Sequence, residues 1–158
     1  MAVKELYLVR HGQATTPQID PQRPLAPEGR SQVERTASIL KGINLSVEVI
    51  YHSGKTRAEE TADTLSSYLK PSQGNRWRRG LNPNDPVVDI LEELDAEEFE
   101  KIMIVGHLPF LELFASRLLS GKANPRIVDI PTATAVGLHR TGEVWTIKWI
   151  LDPSLVGS

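Results

Sequence analysis

The sequence predicts an α/β fold, a three-layer sandwich whose mostly parallel central sheet has helices on both faces and a C-terminal antiparallel hairpin. Three short, continuous apolar runs, at 3–9, 47–51 and 102–105, are typical of strands buried on both faces of a parallel sheet. Amphipathic stretches separate these runs, and such alternation is typical of parallel sheets. With 158 residues, the chain has the length of one compact domain, and we expect residues 1–158 to form it.

Amphipathic stretches between the apolar runs predict helices. The first begins at Pro27, which suits the first turn of a helix, and Gly42 ends it. The second has apolar residues at helical spacing over 58–69 and ends before a proline, which cannot continue a helix. Another carries an apolar stripe over 111–118 and closes at Gly121.

A further helix is predicted before the third apolar run. Asp85 and Pro86 resemble an N-cap followed by proline at the first helical position. The charged run 92–100 is then interpreted as a solvated helix face. Two irregular stretches are assigned to loops: 15–24 and 71–83.

The C-terminal part predicts a β-hairpin. The runs 134–138 and 144–151 flank a Thr-Gly turn, which is a hairpin pattern. Trp145 and Trp149 are four residues apart on the second strand, so the two-residue period of a strand predicts that both lie on one face.

Composition excludes several classes of function. The chain has 40% hydrophobic and 24% charged residues and a formal net charge of −2, so no overall charge attracts nucleic acid or an anionic membrane. No secretory signal or apolar run of 18 residues is present, and we expect a cytoplasmic protein. The absence of cysteine excludes disulfides, thiolate nucleophiles and cysteine-bound metals. No pair of its four histidines has the spacing of a helical zinc motif.

Polar residues follow the first apolar run directly. Arg10, His11 and Gly12 place a guanidinium and an imidazole side by side where a buried strand should end. We expect the glycine to let backbone amides approach a ligand closely. This tripeptide therefore indicates a site that binds a phosphoryl group.

Two later segments carry residues of the same type. Ser53 and Arg57 follow the second apolar run, and His107 follows the third. In an open α/β sheet, ligands bind at the carboxyl ends of the strands, so these residues and the 10–12 tripeptide are expected at one crevice. Arg57 would lie near the positive end of a helix dipole.

Each of these residues also has a structural interpretation. Arg57 could be a surface arginine paired with Glu60 or Asp63, which are three and six residues further along the same helix. A single histidine such as His107 often has only a structural role. The convergence of three segments favours the site.

The same segments resemble the histidine phosphatase superfamily, which has the phosphoglycerate-mutase-like fold. The resemblance lies in Leu-Val-Arg-His-Gly at 8–12, Ser-Gly-Lys-Thr-Arg-Ala-Glu-Glu-Thr at 53–61 and Val-Gly-His at 105–107. More narrowly, the segments 23–29, 81–86 and 106–109 resemble the small phosphohistidine phosphatases of the SixA type.

This resemblance implies a role for each site residue. His11 would be the nucleophile and would form a phosphohistidine intermediate, while Arg10, Arg57 and His107 bind the phosphoryl oxygens. Gly12 and Ser53 would complete the substrate-binding set. Because the arginines supply positive charge, no metal or other cofactor is expected.

The mechanism sets conditions on protonation. His11 must be neutral to attack, whereas His107 assists best as a cation, so we expect their environments to push their pKa values apart. A carboxylate or a backbone carbonyl should orient His11. The residues 79–83 lack the glutamate acid of larger relatives, and Asp85 is either the candidate acid or a helix cap.

A missing acid favours phosphohistidine over an alkyl phosphate, because imidazole leaves without strong acid assistance. We therefore expect a phosphorylated protein as substrate, with a small phosphorylated compound as the alternative. A third hypothesis is a phosphate-binding module without turnover, which the intact His11 disfavours. We expect no nucleic-acid or membrane partner, and a monomer.

The residues 76–79 form a basic patch around an aromatic side chain, Arg-Trp-Arg-Arg. We interpret the patch as a solvated loop that Trp77 anchors to the core. The alternative is a surface that docks a phosphoprotein.

Overall fold

The computed structural model describes residues 1–157, which form one six-stranded sheet and four α-helices. The strands are β1 (Glu5–Arg10), β2 (Val49–His52), β3 (Asn75–Trp77), β4 (Lys101–Gly106), β5 (Ala135–Thr141) and β6 (Val144–Leu151). The helices are α1 (Pro27–Gly42), α2 (Thr56–Leu69), α3 (Val87–Asp95) and α4 (Phe110–Ser120). A short 3₁₀ turn, Pro153–Leu155, follows the last strand.

The strand order in the sheet is β3-β2-β4-β1-β5-β6. The first four strands of this order pair in parallel, while β5 is antiparallel to both β1 and β6. The predicted fold class, a mostly parallel sheet with a C-terminal antiparallel hairpin, is confirmed.

Helices cover both faces of the sheet. In β1, Leu6 and Leu8 belong to the core cluster that contains the buried residues of α3 and α4. The alternate residues Tyr7 and Val9 belong to the cluster on the other face, with those of α1 and α2. Because β1 buries both faces, its sequence is a continuous apolar run rather than an alternating one.

The prediction of a loop over 71–83 is wrong for three residues. Asn75–Trp77 forms β3, which pairs in parallel with β2 at the edge of the sheet. This strand is short and has no apolar run, so periodicity does not reveal it. Trp77 is 64% exposed, and it does not anchor the segment to the core as expected.

The expected cap of α3 is also wrong. Pro86 occupies the N-cap position, and no side chain caps the helix. The Asp85 carboxylate instead accepts a hydrogen bond of 2.8 Å from the backbone N–H of Asn82. This bond closes a local turn before the helix, so the helix begins one residue later than predicted.

The charged run 92–100 is not one solvated helix face, because α3 ends at Asp95. Beyond the helix, the Glu97 carboxylate accepts hydrogen bonds from Arg78 Nη1 at 2.8 Å and from the Tyr51 hydroxyl at 2.9 Å. Burial raises the pKa of Glu97, but these hydrogen bonds outweigh it, and the net pKa is lowered. Arg78 is therefore occupied by an ion pair.

The two tryptophans of β6 lie on opposite faces of the sheet, contrary to the prediction. Trp145 is buried with the α3 and α4 cluster, whereas Trp149 packs on the other face and stacks on Tyr7 with ring centroids 5.8 Å apart. A register shift in the pairing of β5 with β6 separates them. One extra residue in a strand reverses the facing of those after it.

No helix within residues 1–157 is long and apolar enough to cross a membrane.

Close packing of α1 against the loop after β1 predicts that Gly29 tolerates no side chain. A Cβ at Gly29 would lie 2.0 Å from the backbone oxygen of Gln13, whereas one at Gly42 of the same helix would have no neighbour within 4 Å. We expect Gly29→Ala to lower the melting temperature by roughly 4–10 °C, because overpacking costs about 1–3 kcal/mol. Gly42→Ala is the matched control in thermal denaturation, and equal melting temperatures would contradict the packing.

Candidate active site

Three strands that are neighbours in the sheet, β2, β4 and β1, run in parallel and end at the same edge. The register places Arg10 of β1 beside Gly106 of β4. His11 and His107, which follow these two strands, therefore meet at that edge, together with Ser53, which follows β2. This convergence agrees with the expectation from the sequence.

The two histidines form the centre of the site. The ring centroids of His11 and His107 are 5.0 Å apart, and the ring planes are tilted by 52°. Both side chains are buried, with exposed fractions of 8% and 1%. Ser53 Oγ lies 2.6 Å from Nε2 of His107 and holds this ring in place.

A backbone carbonyl orients His11. Its Nδ1 lies 2.6 Å from the oxygen of Gly12 and, as the only possible donor of this pair, carries the proton. Burial is the main cause that lowers the pKa of His11 to about 4, and the Arg57 and Arg10 charges lower it further. The hydrogen bond to Gly12 raises this pKa but does not outweigh them. The ring is therefore neutral at pH 7, and its Nε2 holds a free lone pair.

His107 is also neutral, contrary to the expectation of a cation. Burial lowers its pKa to about 3, and the neighbouring His11, Arg57 and Lys55 lower it further. The two pKa values are not pushed in opposite directions, because both rings share one buried and positively charged environment. Both rings are therefore neutral at pH 7.

Arg57 pairs with neither Glu60 nor Asp63, the two carboxylates that were its alternative partners on the helix surface. Glu60 instead contacts Arg30, with 2.5 Å between Arg30 Nη2 and Glu60 Oε2. Asp63 accepts a hydrogen bond of 2.7 Å from the side-chain amide of Asn75. The Arg57 guanidinium is therefore not neutralised by its own helix.

Three nitrogen atoms near His11 are buried and have no hydrogen-bond partner among the described residues: Arg10 Nε, Arg57 Nε and His107 Nδ1. Arg10 is held from one side only, through a bond of 3.2 Å from Nη1 to the oxygen of Ile130. Burial lowers the pKa of both arginines, and arginine nevertheless stays charged. A cluster of cations with spare donors suits an anion.

Gly12 is required for a different reason from the one that the sequence indicated. Its amide donates to Thr61 Oγ1 at 3.1 Å, and so does not face a ligand. A Cβ at Gly12 would lie 2.7 Å from both the Gly29 oxygen and a methyl carbon of Val33. Close packing on α1 therefore explains this glycine.

Thr61, for which no role was predicted, connects two parts of the site. Its hydroxyl accepts from the Gly12 amide and donates to the Arg57 carbonyl at 2.8 Å. It thereby fixes the loop after β1 against the first turn of α2. A threonine in a helix that is otherwise apolar on its buried face was the available sign.

Two further positive charges, which were not predicted, act on the histidines. Arg23 lowers the pKa of His11, and its Nε donates to the oxygen of Thr15 at 3.1 Å. Lys55 lowers the pKa of His107. Both residues lie in the segments that carry the family resemblance, but only the tertiary structure shows that their charges reach the site.

The structure does not bring Asp85 into this cluster. Asp85 lines a separate surface cavity of about 700 Å³, whose lining includes four carboxylates and none of the histidines, arginines or serine described above as site residues. Within residues 1–157, no group of three or more histidine, aspartate or glutamate side chains is arranged to hold a metal ion.

Comparison with known proteins links these residues to a family. The model of the histidine phosphatase superfamily (branch 1) matches residues 6–79. The chain is 26% identical over 153 residues to the phosphohistidine phosphatase SixA of Escherichia coli, covering 94% of each protein. It is also 38% identical over 69 residues to the mitochondrial serine/threonine-protein phosphatase PGAM5 of Rattus norvegicus, covering 43% of this chain and 24% of that protein.

Solved structures show the same fold. A structure of the protein histidine phosphatase SixA with tungstate superimposes with a TM-score of 0.82 at 22% identity, covering 96% of this chain and 98% of the other. A mycobacterial glucosyl-3-phosphoglycerate phosphatase superimposes with a TM-score of 0.74 at 17% identity, covering 93% and 98%. The chain thus resembles the histidine phosphatase superfamily (branch 1) over residues 6–79, just under half of its length, and its fold is that of these solved phosphatases.

Proposed function

We propose that this chain hydrolyses phosphohistidine carried by a phosphorylated protein, with His11 as the nucleophile and without a metal ion. The proposal rests on the protonation state and the orientation of the His11 ring. It is a buried, neutral imidazole, held at Nδ1 by the Gly12 carbonyl, with a free lone pair at Nε2. A nucleophile for phosphorus has to be in this state at neutral pH.

The reaction would proceed in two displacements. Nε2 of His11 forms a bond to phosphorus while the bond from phosphorus to the substrate nitrogen breaks, and the electron pair leaves with the substrate imidazole. Water then attacks phosphorus, the bond to Nε2 breaks, and phosphate departs. The Gly12 carbonyl stabilises the positive charge that the His11 ring carries in the intermediate.

Arg10, Arg57 and His107 would bind the phosphoryl oxygens. Negative charge spreads over these oxygens in the transition state, and fixed cationic donors stabilise it by several kcal/mol in comparable sites. The charge of the phosphoryl group raises the pKa of His107, so that its ring gains a proton where it donates to an oxygen. Ser53, bonded to Nε2 of His107, keeps that ring oriented.

The surroundings of the histidines favour a phosphoramidate substrate. The charges with the largest effects on the pKa values of His11 and His107 belong to basic side chains. An alkoxide leaving group needs an acid, whereas a phosphohistidine imidazole protonated on its second nitrogen leaves as a neutral ring. The position of Asp85 away from the cluster supports the same choice.

A protein-borne phosphoryl group fits the size of the chain. The similarity to the phosphohistidine phosphatase SixA extends over 94% of both proteins, so no long insertion is present here that could form an additional lid. An open site suits a group on a protein surface better than a metabolite that must be enclosed. We further propose that residues 1–158 form a single domain that acts as a monomer.

A second candidate is hydrolysis of phosphoserine or phosphothreonine. The similarity of 69 residues to the serine/threonine-protein phosphatase PGAM5 favours it. Turnover of a phosphohistidine protein and a phosphoserine peptide at equal concentration separates the two candidates. A higher kcat/KM for the phosphoserine peptide would contradict the first proposal.

Brief incubation with a phosphohistidine protein should trap a phosphorylated form of the enzyme that is labile in acid and stable in base. We expect this species in the wild type, with EDTA present, and in His139→Asn, since His139 contacts Glu5 on β1 rather than the site. It should be absent in His11→Asn, which lacks the nucleophile. Mass spectrometry and acid and base treatment detect it; a phosphoenzyme or turnover in His11→Asn would refute the mechanism.

Arg10, Arg57 and His107 together form the proposed phosphoryl clamp. Replacing a guanidinium of this clamp by an ammonium should weaken its binding of the phosphoryl oxygens while keeping the positive charge. We expect Arg57→Lys to lower kcat/KM by about 10²–10³, because lysine lacks the paired donors of arginine. Arg117→Lys in the last turn of α4 is the control and should retain activity. A loss below about threefold in Arg57→Lys would remove this residue from the clamp.

Acid should destabilise the protein through its buried histidines. The pKa values of His11 and His107, about 4 and about 3, lie below the 6.5 of an unfolded histidine, so the unfolded chain binds more protons between these values. Stability that is present above pH 6.5 is lost as the pH falls, by about 2 kcal/mol per histidine at pH 5.

Urea denaturation in phosphate-free buffer measures this effect at two pH values. Between pH 7.5 and pH 5, we expect His107→Gln to lose about 2 kcal/mol less stability than the wild type. Equal losses in the two proteins would show that His107 is not held neutral by the fold.

A further inference from the structure

A second cavity, of about 540 Å³, opens next to the histidine and arginine cluster. Its lining residues are His52, Ser53, Gly54, Lys55, Glu59 and Trp77. Ser53 also holds Nε2 of His107, so the cavity borders the phosphoryl site directly. A substrate whose phosphoryl group lies between the arginines has room on this side for the part that leaves.

Trp77 forms a fixed aromatic wall of the cavity. It pairs in register with His52 across β3 and β2, and its indole edge lies over Gly54. A Cβ at Gly54 would come within 2.5 Å of the Trp77 ring, and Gly54 has a φ of +87°, so only glycine fits beneath the indole. The ring is nevertheless 64% exposed, which leaves a surface free for stacking.

Two side chains in the cavity lining, Lys55 and Glu59, carry charges of opposite sign. The Lys55 charge lowers the pKa of His107. Burial lowers the pKa of His52, and the Glu59 charge raises it in part. The cavity lining therefore offers a carboxylate that can accept a hydrogen bond.

We propose that this cavity is the leaving-group pocket, in which the imidazole ring of phosphohistidine stacks on Trp77 and donates its second ring N–H to Glu59. The inference rests on the proposed function and adds the residues that select the leaving group. Phosphoserine has neither a planar ring nor an N–H group at this place, so the pocket discriminates against it.

Glu59 would act without transferring a proton. Its negative charge favours the substrate imidazole protonated on the nitrogen that is not bonded to phosphorus. When His11 attacks, the bond from phosphorus to the other nitrogen breaks, and its electron pair stays on the ring. The ring leaves as neutral imidazole with its proton, and no proton passes to Glu59.

Two substrates with the same bond but different leaving groups test the pocket. Free phosphohistidine and phosphoramidate both carry a phosphorus–nitrogen bond, and only the former has a ring. We expect Trp77→Ala and Glu59→Gln each to lower the ratio of their kcat/KM values, phosphohistidine over phosphoramidate, by about tenfold. Trp77→Phe should restore most of the ratio, since it keeps an aromatic face.

Matched control variants lie in and just before β6, which is the outer strand of the sheet on the side opposite β3. Val144, an exposed apolar residue of β6, and Glu143, an exposed carboxylate in the preceding turn, are not among the residues that line the cavity. Val144→Ala and Glu143→Gln should leave the ratio unchanged. Melting temperatures show whether each variant is folded.

Several outcomes would overturn the pocket while the proposed function stands. An unchanged ratio, or an equal fall for both substrates, would show that Trp77 and Glu59 do not contact the leaving ring. A loss seen with a phosphohistidine protein but not with free phosphohistidine would assign the cavity to the protein surface instead. If the wild type hydrolyses phosphoserine but not phosphohistidine, the proposed function fails, and the pocket fails with it.

Discussion

The parallel pairing of β1 and β2 with β4 is the constraint on which the site depends. It brings the ends of three strands, far apart along the chain, to one edge of the sheet. Because each strand is buried on both faces, its register cannot shift without exposing apolar side chains. The positions of His11 and His107 are therefore as fixed as the core, although both residues lie just beyond the strands. A site that requires two rings 5.0 Å apart benefits from this rigidity.

The site concentrates positive charge in a buried place, which is unfavourable without an anion. The chain supports Arg10 through backbone rather than through a direct ion pair: its Nη1 donates to the Ile130 carbonyl, and the Ile130 amide donates to the buried Glu112 carboxylate at 2.8 Å. Glu112 also pairs with Arg126, and its charge favours protonated Arg10. The negative charge of Glu112 thus stabilises protonated Arg10. The two side chains are joined through the Ile130 backbone and do not pair directly.

The differences between prediction and structure have a common origin in contacts between distant segments. Periodicity identified β1, β2, β4 and the four helices, because each buries an apolar face. It could not identify β3, which has three polar or exposed residues and, within the sheet, pairs only with β2 among the described strands. Likewise, the sequence around Thr61 and Arg23 does not show which groups they act on, and the neutral state of His107 follows from burial between other segments.

By itself, the sequence determined the fold class, the order of its main elements and the three segments that meet at the sheet edge. These follow from apolar periodicity and from the rule that parallel strands end together, both of which are properties of the chain read in order. Only the tertiary structure decided that the Gly12 carbonyl orients His11, that both rings are neutral, and that Trp77 faces a cavity beside Ser53. The physical reason is that hydrogen-bond partners, burial and nearby charges depend on distances in space, which a linear pattern does not contain.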